Sequence, residues 1–230
     1  MLHHTQGIVL GTIKYSETSI IARIFTRKFG MQTYIVNGVR SKKAKGKTAL
    51  YQPLSLLDMV VYHKPEKDIQ RISEAKFSVS YASIPFDPTK RAIGIFLMEV
   101  FSKVLRNESE NEPLYQFIEQ SFIYFDHQEE RFNNFHLQLL LKSTNFLGFG
   151  PENGKDLIYQ LEEAGFHYSL VENELALLDR LMNENIGVNI SIPNTFRRDV
   201  LDHIIKFYRA HTDTLKEIKS LEVLKTVMTS

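Results

Sequence analysis

The sequence predicts an α+β chain in two parts: a small, basic, five-stranded barrel at the amino end, then a mostly helical unit. Three observations carry this. Between residues 5 and 77 the apolar side chains come in short runs broken by turn signals. From Asp87 onward their spacing changes to i, i+3, i+4, i+7. Charge divides at the same place, with 13 basic and 5 acidic side chains in residues 1–81, a net of +8, and a net of −7 in residues 82–230.

Strands are expected at Gly7–Ile13, Ile20–Thr26, Gln32–Val39, Leu54–His63 and Asp68–Phe77. Breaks fall at Lys14–Thr18, at Phe29-Gly30 and across the basic segment after Val39. In the fourth strand both alternating sets are largely apolar: Leu54, Leu56, Asp58, Val60 and Tyr62 against Ser55, Leu57, Met59 and Val61. That suits a strand buried on two faces or one closing a barrel. Five strands in about 80 residues match the OB-fold, a five-stranded Greek-key barrel. An SH3-like barrel has the same strand count, so periodicity leaves the topology open.

The helical half opens at Asp87-Pro88-Thr89, a capping residue followed by a first-turn proline. It runs through Ile93, Phe96, Leu97, Val100, Phe101, Val104 and Leu105. After Pro113 the pattern repeats in Leu114, Phe117, Ile118, Phe122 and Phe125. A third stretch, Phe132–Leu147, ends at Gly148-Phe149-Gly150-Pro151, a strong helix stop. Residues 152–175 show no clear period, and Phe166–Leu177 suits a hairpin turning at Asn173. Helical spacing returns at Leu175–Asn183, Thr195–His211 and Ser220–Met228.

With 24% charged and 43% hydrophobic residues, the 230-residue chain has an ordinary globular composition. No apolar run approaches the ~20 residues of a membrane-spanning helix. The opening MLHHTQGIVLGTIKYSE lacks a basic leader and a cleavage site, so neither membrane insertion nor export is expected. Zero cysteines exclude disulfides, thiolate catalysis and cysteine-held zinc or iron–sulfur clusters, and suit a reducing cytoplasm.

The basic excess concentrates between Glu17 and Asp58, where 40 consecutive residues contain no acid. They hold Arg23, Arg27, Lys28, Arg40, Lys42, Lys43, Lys45 and Lys47, the residues expected to bind nucleic acid. Five of these fall within Arg40–Lys47 and repel one another, which suits a polyanionic partner better than a merely solvated loop. Arg23, Phe25 and Arg27 share strand parity, so an Arg-Phe-Arg face serves either nucleic acid or the docking of a helix. Tyr15, Tyr34 and Tyr51 are candidates for stacking on bases or for packing on the barrel.

Enzyme chemistry finds no support. Gly46-Lys47-Thr48 ends like a phosphate-binding loop, but Ser41 stands where the first glycine must be, and lysines cannot replace the backbone wrap that glycine permits. The eight histidines form no His-Glu-x-x-His pattern, and His203 and His211 lie two helical turns apart, too far for one metal. The pairs Glu129-Glu130 and Glu162-Glu163 point to different helix faces. No positive sign of a metal-dependent nuclease remains, and neither cofactor nor metal is expected.

In order and spacing, several short motifs resemble the RecO family of DNA repair proteins. They are Gly7-Ile-Val-Leu10, Ser16-Glu17, Ile24-Phe-Thr-Arg27 through Gly30, Asn37-Gly38-Val39-Arg40, and Leu50-Tyr-Gln-Pro-Leu54. Further along come Leu139-Leu-Leu, Phe146-Leu-Gly-Phe-Gly150 and Lys219-Ser-Leu-Glu-Val-Leu224. The resemblance implies an OB-fold in residues 1–81 and a helical domain in residues 82–230. It also implies a non-enzymatic recombination mediator that binds single- and double-stranded DNA, anneals complementary strands, and helps RecA load onto strands coated by single-strand-binding protein (SSB). RecR is then a partner, SSB is met through its acidic tail, and the setting is cytoplasmic and nucleoid-associated. Many members carry a four-cysteine zinc module after the Gly148-Phe-Gly150 segment. This chain has none, and the expected Phe166–Leu177 hairpin would stand in its place.

Annealing needs a surface that neutralises phosphates while leaving base edges free, which lysines on a loop supply through counterion release. An acidic tail with an apolar tip needs an apolar pocket with a basic rim. Arg131, Lys142, Arg197, Arg198 and Lys206 are rim candidates. The competing reading is a non-catalytic adaptor whose basic loop binds an acidic protein.

Overall fold

The computed structural model describes residues 1–40, 47–130, 132–168 and 172–228. Five strands come first: β1 (Leu2–Lys14), β2 (Ile20–Thr26), β3 (Gly30–Val36), β4 (Leu56–Tyr62) and β5 (Ile69–Val79). They close into a barrel in the order β1-β2-β3-β5-β4, with β3 and β5 parallel and the other neighbours antiparallel. This is the OB-type Greek key, and it resolves the choice against the SH3-like alternative. A short 3-10 helix, Lys47–Tyr51, leads into β4.

The barrel has two apolar surfaces. Inside, Val9, Ile20, Ala22, Ile24, Tyr34, Leu57, Met59 and Val61 form its own core. Outside, Ile8, Leu10, Phe25, Leu54 and Leu56 belong to a second core shared with the helices. β4 is thus buried on both faces at its Leu56-Leu57 start, while Asp58, Val60 and Tyr62 on its outer face reach solvent, and it closes the barrel against β1.

Among the described residues, the helices are α1 (Pro88–Val104), α2 (Glu112–His127), α3 (Phe135–Phe146), α4 (Gly154–Glu163), α5 (Glu172–Asn183), α6 (Asn194–His211) and α7 (Ser220–Val227). Asp87 caps α1 by accepting from the Lys90 backbone N–H at 2.9 Å, with Pro88 in the first turn. Past the end of α3, Gly148 adopts φ +81°, a left-handed turn that glycine makes without strain.

One expectation fails. The hairpin over residues 166–177 is not formed, because 172–177 belong to α5; residues 169–171 lie outside the described set. Glu172 and Glu174 sit in its first turn, where acids favour the helix dipole, and Leu178 and Leu181 bury one side. Helical period outweighs the turn tendency of Asn173. Ahead of it, α4 is capped by Asn153 and buries Leu157 and Leu161, in a stretch whose sequence shows no clear period.

Besides the shared core, the helices grip the connecting segment first and the β2–β3 turn second. Asp126 of α2 accepts backbone N–H groups of Ala82 (2.7 Å), Ser83 (2.9 Å) and Ile84 (2.8 Å), gripping the connection between barrel and helices. Burial opposes the charge on Asp126, but these bonds prevail and keep its carboxyl below the usual range. The buried Lys90 amine donates to the main-chain oxygens of Asp126 and Gln128 beside it. At the second place the β2–β3 turn meets the segment before α2: Met31 N–H donates to the Glu108 carbonyl at 2.9 Å. Gly30 has φ +63° there, and a Cβ on it would fall 2.2 Å from the Ser109 carbonyl oxygen.

Candidate nucleic-acid interface

β1, β2 and β3 contain no acidic side chain. Their outward positions therefore present no carboxylate. Arg23 is exposed on the outer face of β2, opposite Gly11 on one side and Thr33 on the other. Among the described residues it makes no ion pair. Lys28 is exposed in the β2–β3 turn.

Arg40 lies beyond β3 at the β1–β2 turn. Its backbone N–H donates to the Thr18 carbonyl (3.1 Å) and its guanidinium to the Ser16 carbonyl (3.2 Å). This anchors one end of the basic loop against the barrel. The other end is set by Thr48, whose hydroxyl donates to the Val39 carbonyl at 2.9 Å, next to exposed Lys47. Lys42, Lys43 and Lys45 lie outside the described residues.

Phe25 and Arg27 turn to the helices instead. Phe25 is fully buried, its ring 6.0 Å from that of Tyr115 in α2. Arg27 donates to Glu112 and to Gln6. The Arg-Phe-Arg face is thus divided, its Phe25–Arg27 end docked on α2 and its Arg23 end solvated.

Of the three tyrosines, Tyr15 is exposed, whereas Tyr34 and Tyr51 are buried in the barrel. Burial raises both buried phenols, that of Tyr51 to about 12. One cation escaped the sequence reading. Arg71 of β5 is exposed and sits beside Ile35 of β3 through the parallel pairing that closes the barrel. No local signal marks it, because that pairing joins segments far apart in the chain.

The side of the barrel that faces α2 differs. A groove of about 760 Å³ between barrel and α2 carries both signs, with Lys28 and Lys76 near Asp58, Glu74 and Glu110, which suits phosphate poorly.

In the helical half, Arg197 and Arg198 meet apolar Leu201, Leu224 and Met228 at a small pocket beside the α6 amino end. His136 lines it; burial, with Arg197 nearby, holds this imidazole down at about 3, hence neutral. The other rim candidates point elsewhere: Lys142 donates to the Met182 carbonyl (2.7 Å), Lys206 pairs with Asp202 (2.7 Å), and Arg131 lies outside the described residues. The described residues contain no group of three or more histidine and carboxylate side chains arranged to hold a metal, and no helix long and apolar enough to cross a membrane.

Comparison with known proteins agrees with this architecture. A family model described as recombination protein O N terminal matches residues 1–81, and one described as recombination protein O C terminal matches residues 85–222. The chain is 35% identical over 232 residues to a DNA repair protein RecO of Flavobacterium johnsoniae, covering 97% of this chain and 98% of that one. It is 36% identical over 243 residues to a DNA repair protein RecO of Bacteroides fragilis, covering 98% of each. A Phocaeicola vulgatus protein of the same name is 35% identical over 239 residues, again covering 98% of each.

Proposed function

The chain belongs to the RecO family of DNA repair proteins, and from that premise we propose that it acts as a recombination mediator without bond chemistry of its own. It binds single- and double-stranded DNA, anneals complementary strands and assists RecA in loading onto SSB-coated strands, with RecR as partner. One observation carries this reading: strands β1, β2 and β3 hold no acid, exposed Arg23, Arg40 and Lys47 lie on them or just beyond them, and exposed Arg71 stands beside Ile35 of β3.

Such a surface attracts phosphates through released counterions and is indifferent to base sequence. Arg27 contributes little here because Glu112 already neutralises it. The Arg197–Arg198 pocket is the seat we assign to the acidic SSB tail, its apolar floor suiting an apolar tip.

A titration with single-stranded DNA at several salt concentrations, followed by annealing without ATP or metal, tests the proposal. Affinity that falls steeply with salt, and annealing under those conditions, are expected. Binding to an acidic protein alone would favour the adaptor reading instead.

A further inference from the structure

We infer that His136 reads the ligand of the pocket beside the α6 amino end, its imidazole donating to a carboxylate oxygen that the Arg197 guanidinium holds. This rests on the reading of that pocket as the seat of an acidic tail.

Three groups meet there that are suited to an anion. The first is Arg197, half-buried and positioned by neutral acceptors alone: Asn134 Oδ1 at 2.9 Å, the Ile192 carbonyl at 3.3 Å, and Asn194 Oδ1. A guanidinium carries five N–H donors, and these bonds use three of them. Burial lowers the Arg197 pKa with no carboxylate to oppose it, and among the described residues Arg197 makes no ion pair. A cation taken from water without a counter-charge is costly.

The second is His136. It is 1% exposed, and its Nδ1 is buried without a hydrogen-bond partner. Buried polar atoms are nearly always paired, so one that is not calls for a reason. The ring meets that of Phe96 edge-on at 6.3 Å, a contact that satisfies no nitrogen, and it also lines the pocket. Burial first, then Arg197, keep the imidazole neutral. In its Nδ1–H tautomer it donates one hydrogen bond and adds no charge.

The third is α6 itself. No side chain caps its amino end, and the Arg197 N–H donates to the Pro193 carbonyl at 2.9 Å. The N–H groups of residues 194–196 precede that bond and bring the positive end of the helix dipole.

Size and surroundings select the occupant. The cavity holds about 30 Å³, roughly twice what one water requires, which suits the two oxygens of a carboxylate better than a tetrahedral phosphodiester. Leu201, Leu224 and Met228 wall it, so the carboxylate arrives beside an apolar side chain. An acidic peptide with an apolar tip has that pairing, and a sugar-phosphate backbone lacks it.

The probe is a fluorescent peptide of four aspartates followed by two leucines, titrated by anisotropy at constant salt. Wild-type protein should bind it. His136→Phe keeps a buried ring but has no donor, and should bind at least about tenfold more weakly, the loss of one hydrogen bond to a charged group. His136→Gln carries an amide donor and should recover part of that loss. In wild-type protein with isotope-labelled histidine, the peptide should shift the ring signals of His136, identified by their absence from His136→Gln. Those of His63, beyond β4, should stay in place.

If the wild type binds the peptide while His136→Phe binds equally well, His136 is only packing and the inference falls, but the acidic-tail reading stands. Weaker binding of the variant without movement of the wild-type His136 signals would make its role structural and would also overturn the contact. If oligodeoxythymidylate moves those signals and the peptide does not, the seat belongs to phosphate. Failure of the wild type to bind the peptide at all removes the tail reading and this inference together.

Discussion

Arg27, on the barrel, reaches a single oxygen of Glu112 through two donors, Nε at 2.8 Å and Nη2 at 2.5 Å. The pair joins the end of β2 to the first turn of α2, and Gln116 supports the same oxygen from one turn further on at 2.9 Å. A cation that by sequence belongs with the DNA-binding set is thereby used to join the two halves.

Arg27→Ala should lower the thermal midpoint while leaving DNA affinity and its salt dependence close to wild type; Arg23→Ala should do the reverse. The pair is also pH-dependent. Hydrogen bonding and charge from Arg27 hold the Glu112 carboxyl below its ordinary value. A depressed acid contributes stability that is complete above the unfolded pKa, about 4.3, and is lost as pH falls through the lower folded value. Melting curves should show the wild-type advantage over Arg27→Ala at pH 7 and its disappearance in acid. An advantage unchanged at low pH would mean that packing, not the ion pair, is responsible.

Replacing Arg40, Lys42, Lys43, Lys45 and Lys47 with alanine should weaken DNA binding without impairing folding. For every phosphate no longer neutralised, the slope of log affinity against log salt should flatten by about 0.7 on a single strand. The weakening should be alike for all sequences tested, since backbone contacts carry no base information, and annealing should decline in parallel. A folded variant with unchanged slope would move the DNA site to the Arg23 face or the helical half.

Phe25→Ala should cost about 3–5 kcal/mol in urea unfolding, the usual range for deleting a buried aromatic ring. Its ring is fully buried against the helices, although its neighbours in the alternating pattern are arginines. Stability close to wild type would contradict the docking role seen for this strand.

Asp126→Ala should destabilise by about 3–5 kcal/mol, because it strands buried donors in the connection and leaves the Lys90 amine without its nearby carboxylate. Hydrogen exchange should quicken at Ala82, Ser83 and Ile84, whose three N–H groups donate to Asp126. Protection unchanged at those amides would show that the connection is held by its apolar neighbours instead.

The sequence by itself determined most of the element types, the order of a barrel followed by helices, and the charge segregation. These are local properties: alternation in β2, the Asp87-Pro88 cap, the Gly148 stop and the acid-free run all lie within one segment. It left α4 unread and turned the start of α5 into a hairpin, because short amphipathic pieces take their stability from what they pack against.

Only the tertiary structure decided which candidate cations are solvated. Arg23 and Arg27 are equivalent in local pattern, and a partner 85 residues away separates them by neutralising one. Arg71 stands beside Ile35 for a like reason, since the parallel pairing of β3 with β5 sets its neighbours. A strand's period determines which residues share its face, but barrel closure and helix docking determine which of those faces meets water.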